Sequence, residues 1–287
     1  MAAILPLHLP DHLHTLFIST VGFAAVHHLA APEFAQFLLG KKAWNALGSR
    51  DRAGWQSHVA SLVHALLILP LAARCLHLPA LAADRAFGWD PRVGTLFAVT
   101  SGYFLWDSIV SLVHYEGIGF VVHGWVCLIV YFIGFRPFLA YYGPRFMLWE
   151  LSTPFLNIHW MLDKTGQTGS PLQLVNGLIL ISTFACARLG YGSIMSYRFL
   201  QTLFEVRDGL SSAIFAGYVC GNVILNGLNV FWFSKMIAAL QKRFTAKDTK
   251  ARSAPQHTNV VDRHAAARSE SERVVTRRGE ARRRPLS

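Results

Sequence analysis

The sequence predicts an all-α, polytopic membrane protein with about seven transmembrane helices around a central cavity. Three observations support this fold class. Of the 287 residues, 53% are hydrophobic and only 15% are charged, whereas soluble domains carry about 25% charged residues. Seven segments approach the roughly 20 mainly apolar residues that a spanning helix needs. Several of them contain ionisable side chains, which are costly in hydrocarbon and usually face a protein interior or a cavity.

The seven apolar segments follow one another along the chain with mostly short connections. We expect spans over residues 13–39, 58–79, 93–115, 118–135, 144–162, 172–197 and 210–240. The fifth segment has the weakest pattern because Arg145, Glu150 and Pro154 interrupt it. Aromatic residues at both of its ends are typical of the membrane–water interface.

The distribution of positive charge predicts the orientation of the chain. Residues 242–287 hold 13 Lys and Arg against 5 Asp and Glu. With seven spans this basic segment lies on the same side as the basic first loop, and cytosolic loops carry the excess of Lys and Arg. We therefore predict a cytosolic C-terminus and an external or lumenal N-terminus. The predicted parts are a first helix and loop over 1–49, the main membrane domain over 50–243 and a tail over 244–287.

The tail is basic and poor in large apolar residues, which predicts a disordered cytosolic segment. Two interpretations of its charge are open. It binds anionic lipid headgroups, or it is a solvated segment that only fixes the topology. We predict no nucleic-acid partner.

The cysteines and the known site motifs give no sign of a metal or a cofactor. Cys75, Cys127, Cys186 and Cys220 lie far apart in apolar segments, without zinc spacing, and are expected to be small buried hydrophobic residues. Phosphate-binding glycine loops, zinc motifs and a nucleophile elbow are absent from the sequence. We therefore predict no metal site and no cofactor.

The most informative run of residues lies in the fifth segment, Trp149-Glu-Leu-Ser-Thr-Pro-Phe-Leu-Asn-Ile-His-Trp160. It brings a carboxylate, an amide and an imidazole into a segment with membrane character. Glu150, Pro154 and Asn157 have i, i+4, i+7 spacing and share one helix face if Pro154 only kinks the helix. This face is the first candidate for the wall of a functional cavity.

A second group of polar residues lies in the third and fourth segments. Asp107 is in the middle of the third segment and shares a helix face with His114, while His123 follows one turn into the fourth. A short connection makes the two segments an antiparallel hairpin. A direct contact between Asp107 and His123 depends on a register that the sequence does not fix, and a structural hydrogen bond within the bundle is the alternative.

Two further features lie in the last two segments. Arg188 is deep in the sixth segment and needs a counter-ion, for which Asp107 and Glu150 are the candidates. A structural ion pair and a substrate contact are both open interpretations. An asparagine stripe in the seventh segment is more typical of helices joined by amide hydrogen bonds than of a polar pathway. It consists of Asn222, Asn226 and Asn229.

These residues together resemble the TLC-domain family, in the branch of small TLC-domain proteins outside the ceramide synthases. The run from Glu150 to Asn157, followed by His159, Asn176 and Arg188, carries most of the resemblance, which extends over about residues 50–243. Upstream matches support it. They are Trp55, Ser61, His64, Gly102, Tyr103, Asp107 and His123.

The resemblance implies a barrel-like helix bundle around a lipid-sized cavity, in the endoplasmic reticulum or related membranes. Members are linked to lipid sensing, membrane phospholipid composition and lipid homeostasis, and in one branch to ceramide synthesis. The paired histidine of the acyl-transferring members falls on His123 and Gly124, so the second histidine is replaced by glycine. The downstream acidic motif of the ceramide synthases is also missing.

The first hypothesis for the function is a lipid-handling protein that binds a lipid or acyl chain and influences membrane lipid composition. Its predicted polar cavity residues are Glu150, Asn157, His159, Arg188 and His114. The alternative is an acyl-CoA-dependent acyltransferase, in which His123 is the base or acyl acceptor and Asp107 orients it. A seven-helix receptor or transporter is disfavoured because no lysine lies deep in the last span and no repeated halves are visible.

Overall fold

The computed structural model describes residues 7–253, with side chains described as far as Lys242. All secondary structure in this part of the chain is helical, as predicted. Residues 244–253 of the predicted tail form the end of a helix that begins at Ser212, and the rest of the tail, with its predicted disorder and lipid contact, lies outside the described residues. Contacts divide the chain into two units, Met1–Ile237 and Ala238–Ser287.

Twelve α-helices make up the described part of the chain, and several are joined by single turns of π- or 3₁₀-helix. The α-helices are α1 Leu9–Ala25, α2 Ala31–Leu39, α3 Lys41–Ala46, α4 Ser49–Cys75, α5 Pro79–Ala83, α6 Pro91–Val113, α7 Ile118–Ile133, α8 Gly143–Met147, α9 Thr153–Lys164, α10 Pro171–Phe184, α11 Gly192–Glu205 and α12 Ser212–Ser253. The π-helical turns are Val26–Ala30 and Ala185–Tyr191. The 3₁₀ turns are Leu148–Ser152 and Arg207–Gly209.

Five continuous helical segments of the described chain are long and apolar enough to cross a bilayer, which makes the protein a polytopic membrane protein. They are Leu9–Leu39, Ser49–Cys75, Pro91–Val113, Pro171–Glu205 and Ser212–Lys242. The two remaining predicted spans differ for separate reasons. Helix α7 has 16 residues, or about 24 Å of rise, against a hydrocarbon core of roughly 30 Å. The fifth predicted segment is broken into short pieces.

The break in the fifth segment is due to its two prolines. Pro144 lies in the first turn of α8 and Pro154 in the first turn of α9, where the missing N–H costs no hydrogen bond. The chain between them forms the 3₁₀ turn Leu148–Ser152. The condition that Pro154 only kinks one helix is therefore not met, and Glu150 and Asn157 do not share the face of one continuous α-helix.

Helix α6 lies at the centre of the bundle between α1 and α7. Residues without large side chains let α1 approach closely, as at Gly102, where an added Cβ would collide with Ser19. Ser19 Oγ donates a hydrogen bond of 2.8 Å to the Val99 carbonyl oxygen at the same contact. On its other side α6 packs aromatic rings against α7, with the rings of Phe97 and Tyr131 5.5 Å apart. This packing fixes the hairpin that the sequence predicts.

Arg145 is the cation in the fifth segment, and its hydrogen bonds explain why a charge is tolerated there. Its guanidinium donates to the carbonyl oxygens of Leu76, at 2.7 Å, and Tyr141, at 2.6 Å. Leu76 directly follows the C-terminus of α4, where unsatisfied carbonyls and the helix dipole favour a positive charge. Arg145 thus ties the end of α4 to the start of α8.

The cysteine prediction is half right. Cys75 and Cys127 are buried, but Cys186 and Cys220 are exposed. The outer surface of a membrane bundle faces lipid, so an apolar neighbourhood in the sequence does not require burial inside the protein.

Candidate functional site

A mainly apolar cavity lies between α6, α7, the α8 region, α11 and α12. Its volume is about 70 Å³. Its apolar wall includes Phe97, Phe104, Val130, Phe138, Phe146, Phe199, Tyr218 and Leu225. Pockets for small molecules are typically lined by apolar side chains with few polar groups, and this cavity has that lining, although it is narrower than most.

The polar end of the cavity contains His123, Glu150 and Arg188. Glu150 and Arg188 are 9% and 7% exposed, and Arg188 Nη2 lies 3.8 Å from Glu150 Oε1. The predicted counter-ion of Arg188 is therefore Glu150. Charges are rarely buried in a protein unless they are paired in this way.

Four neutral oxygens hold the Arg188 guanidinium in place. Its Nε donates to the Trp149 carbonyl at 2.9 Å and to Ser152 Oγ at 3.1 Å. Its Nη1 donates to Asn229 Oδ1 and its Nη2 to Thr153 Oγ1, each at 3.2 Å. Thr153 also hydrogen-bonds Glu150. The network joins the 3₁₀ turn, α9, the π turn and α12.

Irregular backbone positions both members of the ion pair. Glu150 lies in the 3₁₀ turn and Arg188 in the π-helical turn Ala185–Tyr191, a rare conformation that is frequent at functional sites. The π turn ends at Gly192, where an added side chain would collide with the Trp149 indole. Glycine at this position is what lets the two turns meet.

His123 lies in the cavity wall, on α7. Its ring nitrogens are 3.8 and 3.9 Å from Cys127 Sγ, and its ring meets those of Trp232 and Phe104 edge to face, at 5.3 and 5.8 Å. Sulfur is a weak hydrogen-bonding partner. His123 therefore retains most of its hydrogen-bonding capacity toward the cavity.

Asp107 lies behind the wall rather than in it. Its Oδ2 would be 3.0 Å from a Cβ added to Gly124, and Ser108 Oγ would be 3.1 Å from it. No hydrogen bond or ion pair between Asp107 and His123 occurs within residues 7–242, so the contact that the sequence left open is not formed. Gly124, the position of the missing second histidine, is the point at which α7 meets the Asp107 carboxylate.

Three of the remaining predicted residues lie away from the cavity lining. Asn157 is buried against α4, where its Oδ1 is 2.7 Å from His58 Nδ1 and its Nδ2 donates to Ser61 Oγ at 3.2 Å. His159 packs against Gly177 of α10. His114 is exposed at the C-terminal end of α6. The cavity thus contains three of the seven predicted site residues.

Trp149, Ser152 and Thr153 were not predicted as the partners of Arg188. One signal was available, because a buried guanidinium with five donors needs several oxygen acceptors nearby, and both hydroxyls belong to the run that carries the resemblance. The amide interpretation of the asparagine stripe is confirmed, since Asn222 and Asn226 donate to Ser196 Oγ at 3.2 and 2.9 Å. Asn229 completes the stripe at Arg188.

The arrangement suits a ligand with a long apolar part and a small polar head. Within the described residues no group of three or more His, Cys, Asp or Glu side chains could hold a metal ion.

Comparison with known proteins agrees with the architecture, because the family model for the TLC domain matches residues 54–238. The chain belongs to the TLC domain family.

The relatives of this TLC domain protein come from fungi and vertebrates. An uncharacterized TLC domain-containing protein of Schizosaccharomyces pombe is 40% identical over 82% of this chain and 81% of its own length. Topoisomerase I damage affected protein 4 of Saccharomyces cerevisiae is 26% identical, over 80% and 85%. Human TLC domain-containing protein 4 is 26% identical, over 67% and 76%. No solved structure matches the chain.

Proposed function

We propose that this TLC domain protein binds a lipid or acyl chain in the cavity between α7, α11 and α12, and thereby influences membrane lipid composition. One observation supports the proposal above all. The cavity has a mainly apolar wall that also contains a buried, hydrogen-bonded ion pair, and such a lining suits a hydrocarbon chain with a polar head. We also propose a location in the endoplasmic reticulum and a cytosolic C-terminus, on the basis of the family and the charge distribution.

The function can be tested through the lipid composition of cells. Val130 lines the cavity, and Val130→Trp fills it. The neighbouring Ile129 is 50% exposed on the outside of α7, so Ile129→Trp adds the same bulk outside the cavity and is the matched control.

Deletion of the gene should shift the phospholipid acyl-chain profile of the cell. Wild type and Ile129→Trp should restore the profile, and Val130→Trp at equal membrane abundance should not. An unchanged profile on deletion, or full rescue by Val130→Trp, would contradict the proposal.

The acyltransferase alternative has one supporting observation, which is that His123 faces the cavity. Within the part of the chain that the structure describes, His123 donates no hydrogen bond to Asp107, so Asp107 does not orient the ring. This alternative requires that purified protein transfer an acyl group from acyl-CoA, and that both His123→Ala and Asp107→Asn abolish the transfer at normal protein levels. Activity that survives both substitutions would exclude it.

A further inference from the structure

The polar residues of the cavity are already balanced in charge. Arg188 donates hydrogen bonds to Trp149, Ser152, Thr153 and Asn229, and its charge is opposed by Glu150 at 3.8 Å. These bonds use three of its five N–H groups and leave one on each terminal nitrogen. A buried arginine in a lipid cavity would ordinarily indicate an anionic headgroup, but here the protein itself supplies the arginine's partners.

This balance disfavours a charged headgroup of either sign. A carboxylate or phosphate that reaches the two remaining N–H groups of Arg188 would also approach the carboxylate of Glu150 at 3.8 Å, which repels it. An ammonium group would approach the guanidinium in the same way. Either ion would also lose its hydration in an apolar cavity, which is costly without a full set of partners.

A hydroxyl group of a ligand can use the hydrogen-bonding capacity that remains at Glu150 and His123. The Glu150 carboxylate accepts hydrogen bonds, and its oxygens have more acceptor sites than Thr153 and Arg188 fill. His123 lines the same cavity, and within the described residues its ring nitrogens have only Cys127 Sγ as a hydrogen-bonding partner. A ligand hydroxyl can donate to Glu150 and accept from the N–H of His123.

The apolar part of the cavity favours a single hydrocarbon chain, because the cavity volume is only about 70 Å³. Its wall follows α7 from His123 to Gly134, a rise of about 16 Å. Tyr131, which lies along this stretch, turns its hydroxyl to the Gly143 carbonyl at 3.2 Å and so leaves the wall largely apolar.

We propose that the cavity selects a neutral, hydroxyl-headed lipid with a single chain, of the class of long-chain alcohols and monoacylglycerols. This inference rests on the proposed function, because it specifies the lipid that occupies the same cavity. The hydroxyl lies between Glu150 and His123, and the chain runs along α7.

The test compares photoactivatable diazirine analogues of three lipids with the same chain: hexadecanol, hexadecyl phosphate and hexadecylamine. Each is mixed with the purified full-length protein, and labelled residues are mapped by mass spectrometry. We expect hexadecanol to label the α7 cavity face around Val130 about tenfold more than either charged lipid, the ratio that corresponds to one hydrogen bond to a charged group.

Two variants test the roles of the polar residues. His123→Phe keeps the ring but removes its nitrogens and should bring hexadecanol labelling close to that of the charged lipids. His114→Phe, at the exposed end of α6, is the matched control and should behave as wild type. Glu150→Gln leaves the Arg188 charge unopposed and should shift the preference toward hexadecyl phosphate. If Glu150→Gln fails to fold, the comparison of His123→Phe with wild type still tests the preference for a hydroxyl head.

The outcomes separate this inference from the proposed function. Equal labelling of the cavity by all three lipids, or a preference for a charged lipid in the wild type, overturns the inference and leaves lipid binding intact. If none of the three lipids labels the cavity, both the inference and the proposed function are contradicted.

Discussion

Arg188 is the residue that connects most of the site. The sequence alone predicts a buried guanidinium in need of a counter-ion, and the structure supplies Glu150 as that counter-ion. A pair of this kind costs desolvation free energy when it forms, so its net contribution to stability is small, but removal of one partner leaves an uncompensated buried charge.

A double-mutant cycle tests this coupling. Arg188→Ala and Glu150→Ala should each lower the free energy of unfolding by about 3–5 kcal/mol. The double variant should lose less than the sum of the two, because it leaves no unpaired charge. Thermal unfolding of the purified proteins in the same detergent measures the losses. Additive losses would contradict the pairing.

Asn157 shows where prediction at the residue scale fails. Its spacing from Glu150 suggested one helix face, but a new helix begins at Thr153. Its partner His58 is 99 positions away in the sequence, and local spacing carries no information about such a contact. Arg188 was easier to interpret, because burying a charge restricts its surroundings more strongly than burying an amide does.

At the scale of single elements, short irregular turns position the site. The sequence predicts the long apolar helices from their composition, but it does not reveal the π turn Ala185–Tyr191, because the hydropathy of a π turn is the same as that of an α-helix. The 3₁₀ turn before α9 was foreseeable only in part, from Pro154 and the weak apolar pattern.

Gly192 tests the contact between these two turns. Gly192→Ala places a Cβ against the Trp149 indole and should lower the free energy of unfolding by about 1–3 kcal/mol through overpacking. Gly190→Ala is the matched control in the same helical segment, since its nearest neighbour lies at an ordinary contact distance of 3.5 Å. Thermal melting should separate the two variants. Equal melting temperatures would mean that the Trp149 contact is not tight.

Asp90 caps the N-terminus of α6 outside the membrane-spanning segment. Its Oδ1 accepts from the Arg92 backbone N–H at 2.9 Å, and hydrogen bonds from the Arg92 side chain hold the pKa of Asp90 below its usual value. Because the folded pKa is lower than the unfolded value of 3.8, this stabilisation is present above pH 3.8 and is lost as the pH falls through the folded pKa.

Asp90→Ala should therefore lower the free energy of unfolding by about 1 kcal/mol at neutral pH. The difference from wild type should shrink in strong acid. Melting temperatures of both proteins across a pH series check this. A difference that stays constant through the acid range would contradict the role of the ionised cap.

At the scale of the whole molecule, the fold class was predictable and the number of spans was not. Low charge and repeated apolar segments identify an all-α membrane protein, since a helix satisfies its backbone hydrogen bonds without water. Whether a marginal segment such as α7 crosses the bilayer depends on tilt and packing against its neighbours. The predicted orientation, the endoplasmic reticulum location and the contact of the tail with lipid headgroups stay predictions.

The sequence predicts a cavity only through the rule that polar side chains in apolar helices turn toward a common interior. His123, Glu150 and Arg188 do so, whereas Asn157, His159 and His114 lie elsewhere. Helix α12 closes one side of the cavity. Its Asn229 accepts a hydrogen bond from Arg188, and its Tyr218 and Leu225 line the wall. Pairing of the last helix with the sixth apolar segment is a long-range choice that hydropathy does not determine.

Mass spectrometry of the lipids retained by the purified protein tests the central claim most directly. Wild type and Ile129→Trp should retain a defined lipid out of proportion to its abundance in the host membrane, and Val130→Trp, with the cavity filled, should retain lipids only in bulk proportions. Identical lipid profiles for all three proteins would contradict the claim that the cavity beside the Glu150–Arg188 pair holds a lipid chain.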